Sequence, residues 1–373
     1  MIPFCKPYIP EASRKYVNES LGSDHQQGDG PFTREASNMI SNLVGGGHVL
    51  LTPSCTHALE MASMLGNFGP GDEVILPSYT FTSAATAITK FGATPVFVDI
   101  DPKTKVIDTN QVADAVTENT VAISWVNYAG VAPDIEALQA ISKNRNLLLV
   151  EDNAHGLGGS YKGKPLGSFG HFATQSFHAT KNIQCGEGGA LIINDVAFIE
   201  RSEIIREKGT DRSKFIKGEV QKYRWVDKGS SYLLAETLAA VLLGQLESFE
   251  AIQKARQKQI ENYTELAQLS PDDQMEIGEK LTNASHMFYF CMAEPRRKKI
   301  IELFKKNGIP ASSHYETLHQ SPYGKKFQNQ KIDLSNATQM SEKIVRLPVY
   351  STIDQLSEFA LKQIKLVFDL AVQ

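Results

Sequence analysis

The chain has no run of about 18 uncharged apolar residues, the length a membrane-spanning helix requires. Its richest apolar stretch, Leu233 to Leu243, is interrupted by Glu236 and carries helical spacing. The N-terminal Met1-Ile2-Pro3-Phe4-Cys5-Lys6-Pro7 has no apolar signal core. A soluble, cytoplasmic protein without a membrane partner is expected. Cysteine is scarce: Cys5, Cys55, Cys185 and Cys291 are far apart and form no Cys-x-x-Cys pair, which argues against a metal site and for a reducing compartment. Acidic residues outnumber basic ones only slightly, and a net charge of −4 gives no global attraction for nucleic acid. An anionic substrate therefore needs a local basic patch. Repeats and low-complexity tracts are also lacking.

At 373 residues the chain is too long for one small core and points to two domains, residues 1–245 and residues 246–373. Short apolar runs alternate with amphipathic segments through the first two-thirds. His48–Leu51, Glu73–Leu76, Pro95–Val98, Val121–Ser124 and Leu147–Val150 read as buried strands. Between them Thr56–Leu65, Ser83–Phe91 and Asp134–Lys143 read as helices. Such alternation predicts an α/β fold with a mostly parallel sheet covered on both faces, and ligands beyond the carboxyl ends of its strands. Leu234–Lys258 reads as one long helix leading out of the first domain. Met287–Phe290 as a strand and Arg296–Lys306 and Leu356–Leu370 as helices complete a small α+β domain.

Two segments carry the chemistry. Glu151-Asp152-Asn153-Ala154-His155-Gly156 ends a predicted strand, and Ser176-Phe177-His178-Ala179-Thr180-Lys181-Asn182 follows it, leading to Gly186-Glu187-Gly188-Gly189. A lysine able to bond an aldehyde and a carboxylate able to meet a ring nitrogen are the two protein groups that pyridoxal phosphate chemistry most needs. By itself Asp152 also suits a capping role in the turn that follows it. Ser54-Cys55-Thr56-His57 sits where a strand gives way to a helix, so free N–H groups and the helix dipole converge there. Ordinary N-capping by Ser54 accounts for the same residues without a ligand.

These pieces together resemble the fold-type I aminotransferases, and within them the sugar aminotransferase family named after DegT, DnrJ, EryC1 and StrS. The resemblance implies a large domain with a seven-stranded-type sheet, a homodimer with the active site at its interface, and pyridoxal 5′-phosphate as cofactor. It implies that Lys181 holds the cofactor and moves protons, and that Asp152 meets the ring nitrogen. Thr56, His57 and Ser176 would bind the phosphate, with Phe81 stacked on the ring and His155 beside it. Many relatives carry Gly-x-Asn-Tyr-Arg in a segment that reaches the partner's phosphate. Here it reads Gly229-Ser230-Ser231-Tyr232-Leu233, which puts Ser231 at the asparagine position and marks a distinct subgroup.

For the substrate, Arg206 to Trp225 interleaves cations with aromatics, including Lys217 and Arg224, which suits a nucleotide diphosphate. A solvated basic hairpin would read the same way. The stretch from Gly209 to Tyr232 is similar to the dTDP-4-amino-4,6-dideoxygalactose transaminases, and Gly28-Asp29-Gly30-Pro31 fits their N-terminal pattern. His314-Tyr315-Glu316-Thr317-Leu318-His319 matches a segment that covers the sugar in relatives, with His314, Tyr315 and His319 as contacts. The resemblance thus implies amino transfer from L-glutamate to the C4 ketone of a dTDP-4-dehydro-6-deoxy-hexose. Open beside it stand a C3-keto or UDP-linked sugar, the opposite configuration at C4, and a cofactor-binding sensor without turnover. Surface polysaccharide and secondary metabolite synthesis both use such sugars, and the sequence leaves the pathway open.

Overall fold

A computed structural model describes residues 2–269, 275–327, 331–351 and 358–370, the side chains of residues 358–360 excepted. Seven strands form the main sheet: β1 (His48–Thr52), β2 (Glu73–Pro77), β3 (Thr94–Val98), β4 (Thr120–Val126), β5 (Leu148–Asp152), β6 (Phe172–Ser176) and β7 (Gly189–Ile193). Their spatial order is β1-β7-β6-β5-β4-β2-β3. Only β7 runs against the others, pairing antiparallel with both β1 and β6. The carboxyl ends of six strands and the start of β7 therefore share one edge. There Thr52, Gly189, Ser176 and Asp152 come together from distant parts of the sequence.

Strand residues that point both ways into apolar layers explain why these runs read as hydrophobic without alternation. In β1, Leu50 joins a cluster with Ala58, Met61 and Leu65 of α3 (Cys55–Leu65), while Val49 and Leu51 face Ile40 and Ala239 on the opposite side. The expected helices over residues 56–65, 83–91 and 134–143 are α3, α4 (Thr82–Thr89) and a further helix at Ile135–Arg145.

The single helix expected over residues 234–258 is corrected to two, Glu236–Glu247 and Phe249–Gln268. The first leaves helical geometry at Ser248 (φ −93°, ψ 6°), whose hydroxyl bonds back to the Gly244 carbonyl at 3.0 Å. A three-stranded antiparallel sheet follows, with β8 (Glu276–Ile277), β9 (Phe288–Cys291) and β10 (Ile344–Leu347) in that order. The helix Arg296–Lys306 lies where expected. The last helix spans Glu358–Leu370, and its expected first residues, Leu356 and Ser357, lie outside the described residues.

Glu236, the charge that broke the apolar run, is fully buried and caps a different helix. The helix Pro31–Leu43 has no side-chain cap of its own at Gly30. Instead the Glu236 carboxylate accepts from the amides of Gly30 (3.0 Å), Phe32 (3.0 Å) and Thr33 (3.1 Å), and from the Thr33 hydroxyl. Glu236→Ala is expected to lower the unfolding midpoint, at a cost of about 2–3 kcal/mol, because it leaves several buried donors unpaired. A thermal melt of the variant beside Glu236→Gln checks this, with the glutamine losing less.

Candidate active site

The strand ends open into a cavity of ≈ 630 Å³. Asp152, at the last position of β5, is buried at its floor, and Oδ1 accepts from the Ala154 amide at 3.1 Å. Burial pushes its carboxyl up, while the Ala154 amide and Lys181 pull the other way. The Cys55 thiol approaches Asp152 Oδ1 at 4.0 Å and the Thr174 hydroxyl at 3.5 Å.

Lys181 follows β6 in a loop closed by backbone bonds. The amide of Phe177 donates to Gly188, that of Ala179 to Gly186, and that of Lys181 to His178, each within 2.8–2.9 Å. Its amine faces the cavity, and burial lowers it to about 8, with Cys55 and Asp152 pulling upward. At pH 7.5 that raises the neutral, nucleophilic form from roughly one molecule in a thousand to roughly one in four. The neighbouring Asn182 is fixed from the C-terminal region, donating to Gln253 (2.9 Å) and to the Ala284 carbonyl (2.7 Å).

Opposite these groups stands the start of α3. Ser54 Oγ accepts from the His57 amide at 3.2 Å, and Thr56 Oγ1 lies 2.7 Å from Ser83 Oγ. This end of the helix reaches the sheet edge because position 189 is glycine: a Cβ there would lie 2.4 Å from Ser54 C and Cys55 N. Ser54, Thr56, Ser83 and Ser176 all line the cavity.

His155 stacks on His286, with ring centroids 4.2 Å apart and planes 15° apart. Its Nδ1 accepts from the Ala129 amide at 3.4 Å, so the proton sits on Nε2, which faces the Tyr315 hydroxyl at 3.3 Å. Asn182 Oδ1, already an acceptor, takes the Nδ1 proton of His286 at 2.8 Å. Burial, with Lys181 next in order for the first two, drives His155 and His286 well below the ordinary imidazole range, and burial likewise lowers His314. All three therefore act as neutral hydrogen-bonding rings.

Of the residues expected at the site, Lys181, Asp152, Thr56, Phe81, His155, Ser176, His314 and Tyr315 converge on this cavity. Phe81 is half-exposed at its mouth, 5.8 Å from the Tyr315 ring. The others sit elsewhere. His57 turns its ring onto Tyr232 at 5.3 Å, and its Nδ1 is buried without a partner. His319 does not line the cavity: Nδ1 bonds Ser78 Oγ at 2.6 Å and Nε2 faces Thr338 Oγ1 at 3.4 Å. Lys217 and Arg224 lie exposed away from the cavity of their own chain, Lys217 paired with Glu203 at 3.1 Å. Ser231 is also exposed, bridged to Glu207. Ser83, Arg256, His286 and Arg346 line the cavity as well, and none lies in a local sequence pattern that marks it.

This donor set fits an aldehyde-bearing pyridine phosphate. It offers a partly deprotonated amine, a buried carboxylate and a helix N-terminus ringed by hydroxyls. Comparison with known proteins agrees along the whole chain. The model of the DegT/DnrJ/EryC1/StrS aminotransferase family matches residues 7–358. An uncharacterised protein of Methanocaldococcus jannaschii is 32% identical over 360 residues, 93% of each chain. A putative sugar aminotransferase of Streptococcus pneumoniae, solved in PMP and PLP forms, superposes in the first with a TM-score of 0.89 at 27% identity, covering 100% of this chain and 99% of its own. DesI, solved in the presence of its TDP-sugar product, has a TM-score of 0.85 at 25% identity over 98% of this chain and 92% of its own. A match of this extent shows the family: the chain belongs to the DegT/DnrJ/EryC1/StrS aminotransferase family and is a pyridoxal phosphate-dependent enzyme.

Proposed function

We propose that the enzyme transfers the amino group of L-glutamate to the C4 ketone of a dTDP-4-dehydro-6-deoxy-hexose, giving dTDP-4-amino-4,6-dideoxygalactose. The observation that carries the transfer is the Lys181 amine, lowered to about 8 and facing the same cavity as the buried Asp152 carboxylate. When bound, the cofactor supplies an electron sink for the carbon that gains or loses a proton. Lys181 moves that proton at its Nζ, in opposite directions in the two halves of the cycle. Asp152 keeps a proton on the ring nitrogen. Ser54, Thr56 and Ser176, with the amides that open α3, hold the phosphate. His155 would lie beside the ring and Phe81 would stack on it, with Tyr315 left to meet the substrate.

Support for the sugar end comes from the stretch Gly209 to Tyr232, whose sequence is similar to transaminases of this specificity. In a single chain it exposes Trp225 (81%), Ile216 (64%) and Tyr223 (51%) beside Lys217 and Arg224. In this reading a second copy of the chain covers that surface, Ser231 reaches the partner's phosphate, and the cations meet the nucleotide diphosphate. Residues 1–245 then hold the cofactor and residues 246–373 cover it. The TDP-sugar product named for DesI supports the choice of nucleotide. Incubation of the purified protein with dTDP-4-keto-6-deoxyglucose, L-glutamate and cofactor is expected to yield the C4 amino sugar in the galacto configuration. Absence of any amino sugar removes the substrate and leaves the family untouched.

A further inference from the structure

Three cations line the cavity: Lys181, Arg256 and Arg346. Two already have defined partners or tasks. Lys181 is the reactive amine. Arg256 is consumed by the backbone: its guanidinium donates to the carbonyls of Ser285 (2.9 Å), Val349 (3.1 Å) and His286. Arg346, in contrast, makes no ion pair and no side-chain hydrogen bond among the described residues, and its Nε is shut off from solvent without a partner. The fold holds the residue firmly. Arg346 lies in β10 opposite Tyr289 of β9, and its backbone exchanges hydrogen bonds with Ser312 (2.8 and 3.1 Å). The guanidinium lies 5.2 Å from the centre of the Phe4 ring. Such a contact contributes about 0.5–1 kcal/mol and leaves a partly exposed guanidinium, one nitrogen of it shut off from solvent, free to take a stronger partner. A buried donor kept free in a ligand cavity needs an anionic partner that arrives with the ligand.

We propose that Arg346 anchors a carboxylate of the amino donor. This rests on the aminotransferase reading above and adds the residue that recognises the donor. Two anions enter the site in that reaction, the donor's carboxylates and the diphosphate of the sugar nucleotide. In an α-amino acid the carboxylate is bonded directly to the carbon that carries the amine. An arginine in the same cavity as Lys181 is therefore placed for it. In a C4-keto sugar the diphosphate is attached at C1, across the ring from the reacting carbon, and points away from Lys181. The planar fork of Arg346 also matches a carboxylate with two parallel hydrogen bonds. The acidic residues of the cavity wall, Asp152 and Glu187, do not pair with it.

The test uses holoenzyme and the absorbance change of its cofactor on titration with L-glutamate, in the wild type, Arg346→Lys and Arg346→Gln. The glutamine variant is expected to need about 50-fold more L-glutamate for half-conversion, as expected when one partner of a buried charged pair is lost. Arg346→Lys, which keeps charge and stem, recovers part of the loss. Half-saturation by the keto sugar, measured from the amine form, stays within about threefold, a margin that separates it from loss of a charged anchor. Glutarate, a dicarboxylate that cannot react, binds the wild type in calorimetry and not Arg346→Gln. Weakened sugar binding with unchanged glutamate dependence overturns the proposal in favour of a diphosphate anchor. Unchanged response to both substrates, with a lowered melting temperature alone, overturns it in favour of packing. A wild type that glutamate does not convert refutes the donor in the proposed function, whereas the glutarate measurement still decides whether Arg346 holds a carboxylate.

Discussion

Lys181→Ala abolishes turnover and removes the visible absorbance of the lysine-bound cofactor. The expected loss is about four orders of magnitude or more, since in the proposed function one side chain supplies both the covalent link and the proton shuttle. Lys181→Arg is equally inactive although it preserves the charge, because a guanidinium does not deprotonate in a protein. The pH dependence follows from the lowered amine. Burial favours the neutral form, so the reactive fraction rises through half at about pH 8 and levels off above it. An ordinary lysine would still be gaining reactive amine at pH 10. The rate at which the apo-protein takes up the cofactor, followed by absorbance, should thus climb from pH 6 to 8 and flatten by about 9. A rate still climbing at pH 10 would contradict the buried amine.

Asp152→Asn is expected to slow the reaction by about a thousandfold while leaving the cofactor attached to Lys181. An opposite charge about 4 Å from a ring nitrogen is worth roughly 4 kcal/mol at an effective dielectric of 20, about three pKa units. Asparagine keeps the shape and still accepts from the Ala154 amide, so the fold is preserved. What is lost is the charge that, in the proposed function, would hold a proton on the ring. Because burial already raises the Asp152 carboxyl, the cationic ring completes its pairing and is stabilised in turn. The signature is a drop in kcat with little change in the glutamate concentration needed, the reverse of that expected for Arg346.

Most of the large sheet was legible because its strands are continuous apolar runs and its helices carry local punctuation. The convergence of Asp152, Ser176, Lys181 and Thr56 on one cavity was legible for a related reason: each lies within a few residues of a strand end. His286 and Arg346 carry no such mark. Each lies beside or within a short strand of the C-terminal sheet, and only the pairing of β9 with β10 and the approach of that sheet to Lys181 give them a place in the cavity. The histidines of residues 314–319 divide for the same reason. His314 lines the cavity and is held by the buried Tyr128 hydroxyl at 2.7 Å, while His319 turns to Ser78, a choice made by the path of the chain after Tyr315. The break at Ser248 escaped notice because apolar spacing continues through it.

The pairing of β1 with β7 sets the order in which the enzyme can be made. His48 lies opposite Ile193, and the amide end of α3 rests against Gly189. A polypeptide leaving the ribosome therefore presents Ser54 and Thr56 long before the strand that props them exists. Until residue 193 emerges, β1 has no strand to pair with and the start of α3 has no Gly189 to rest against.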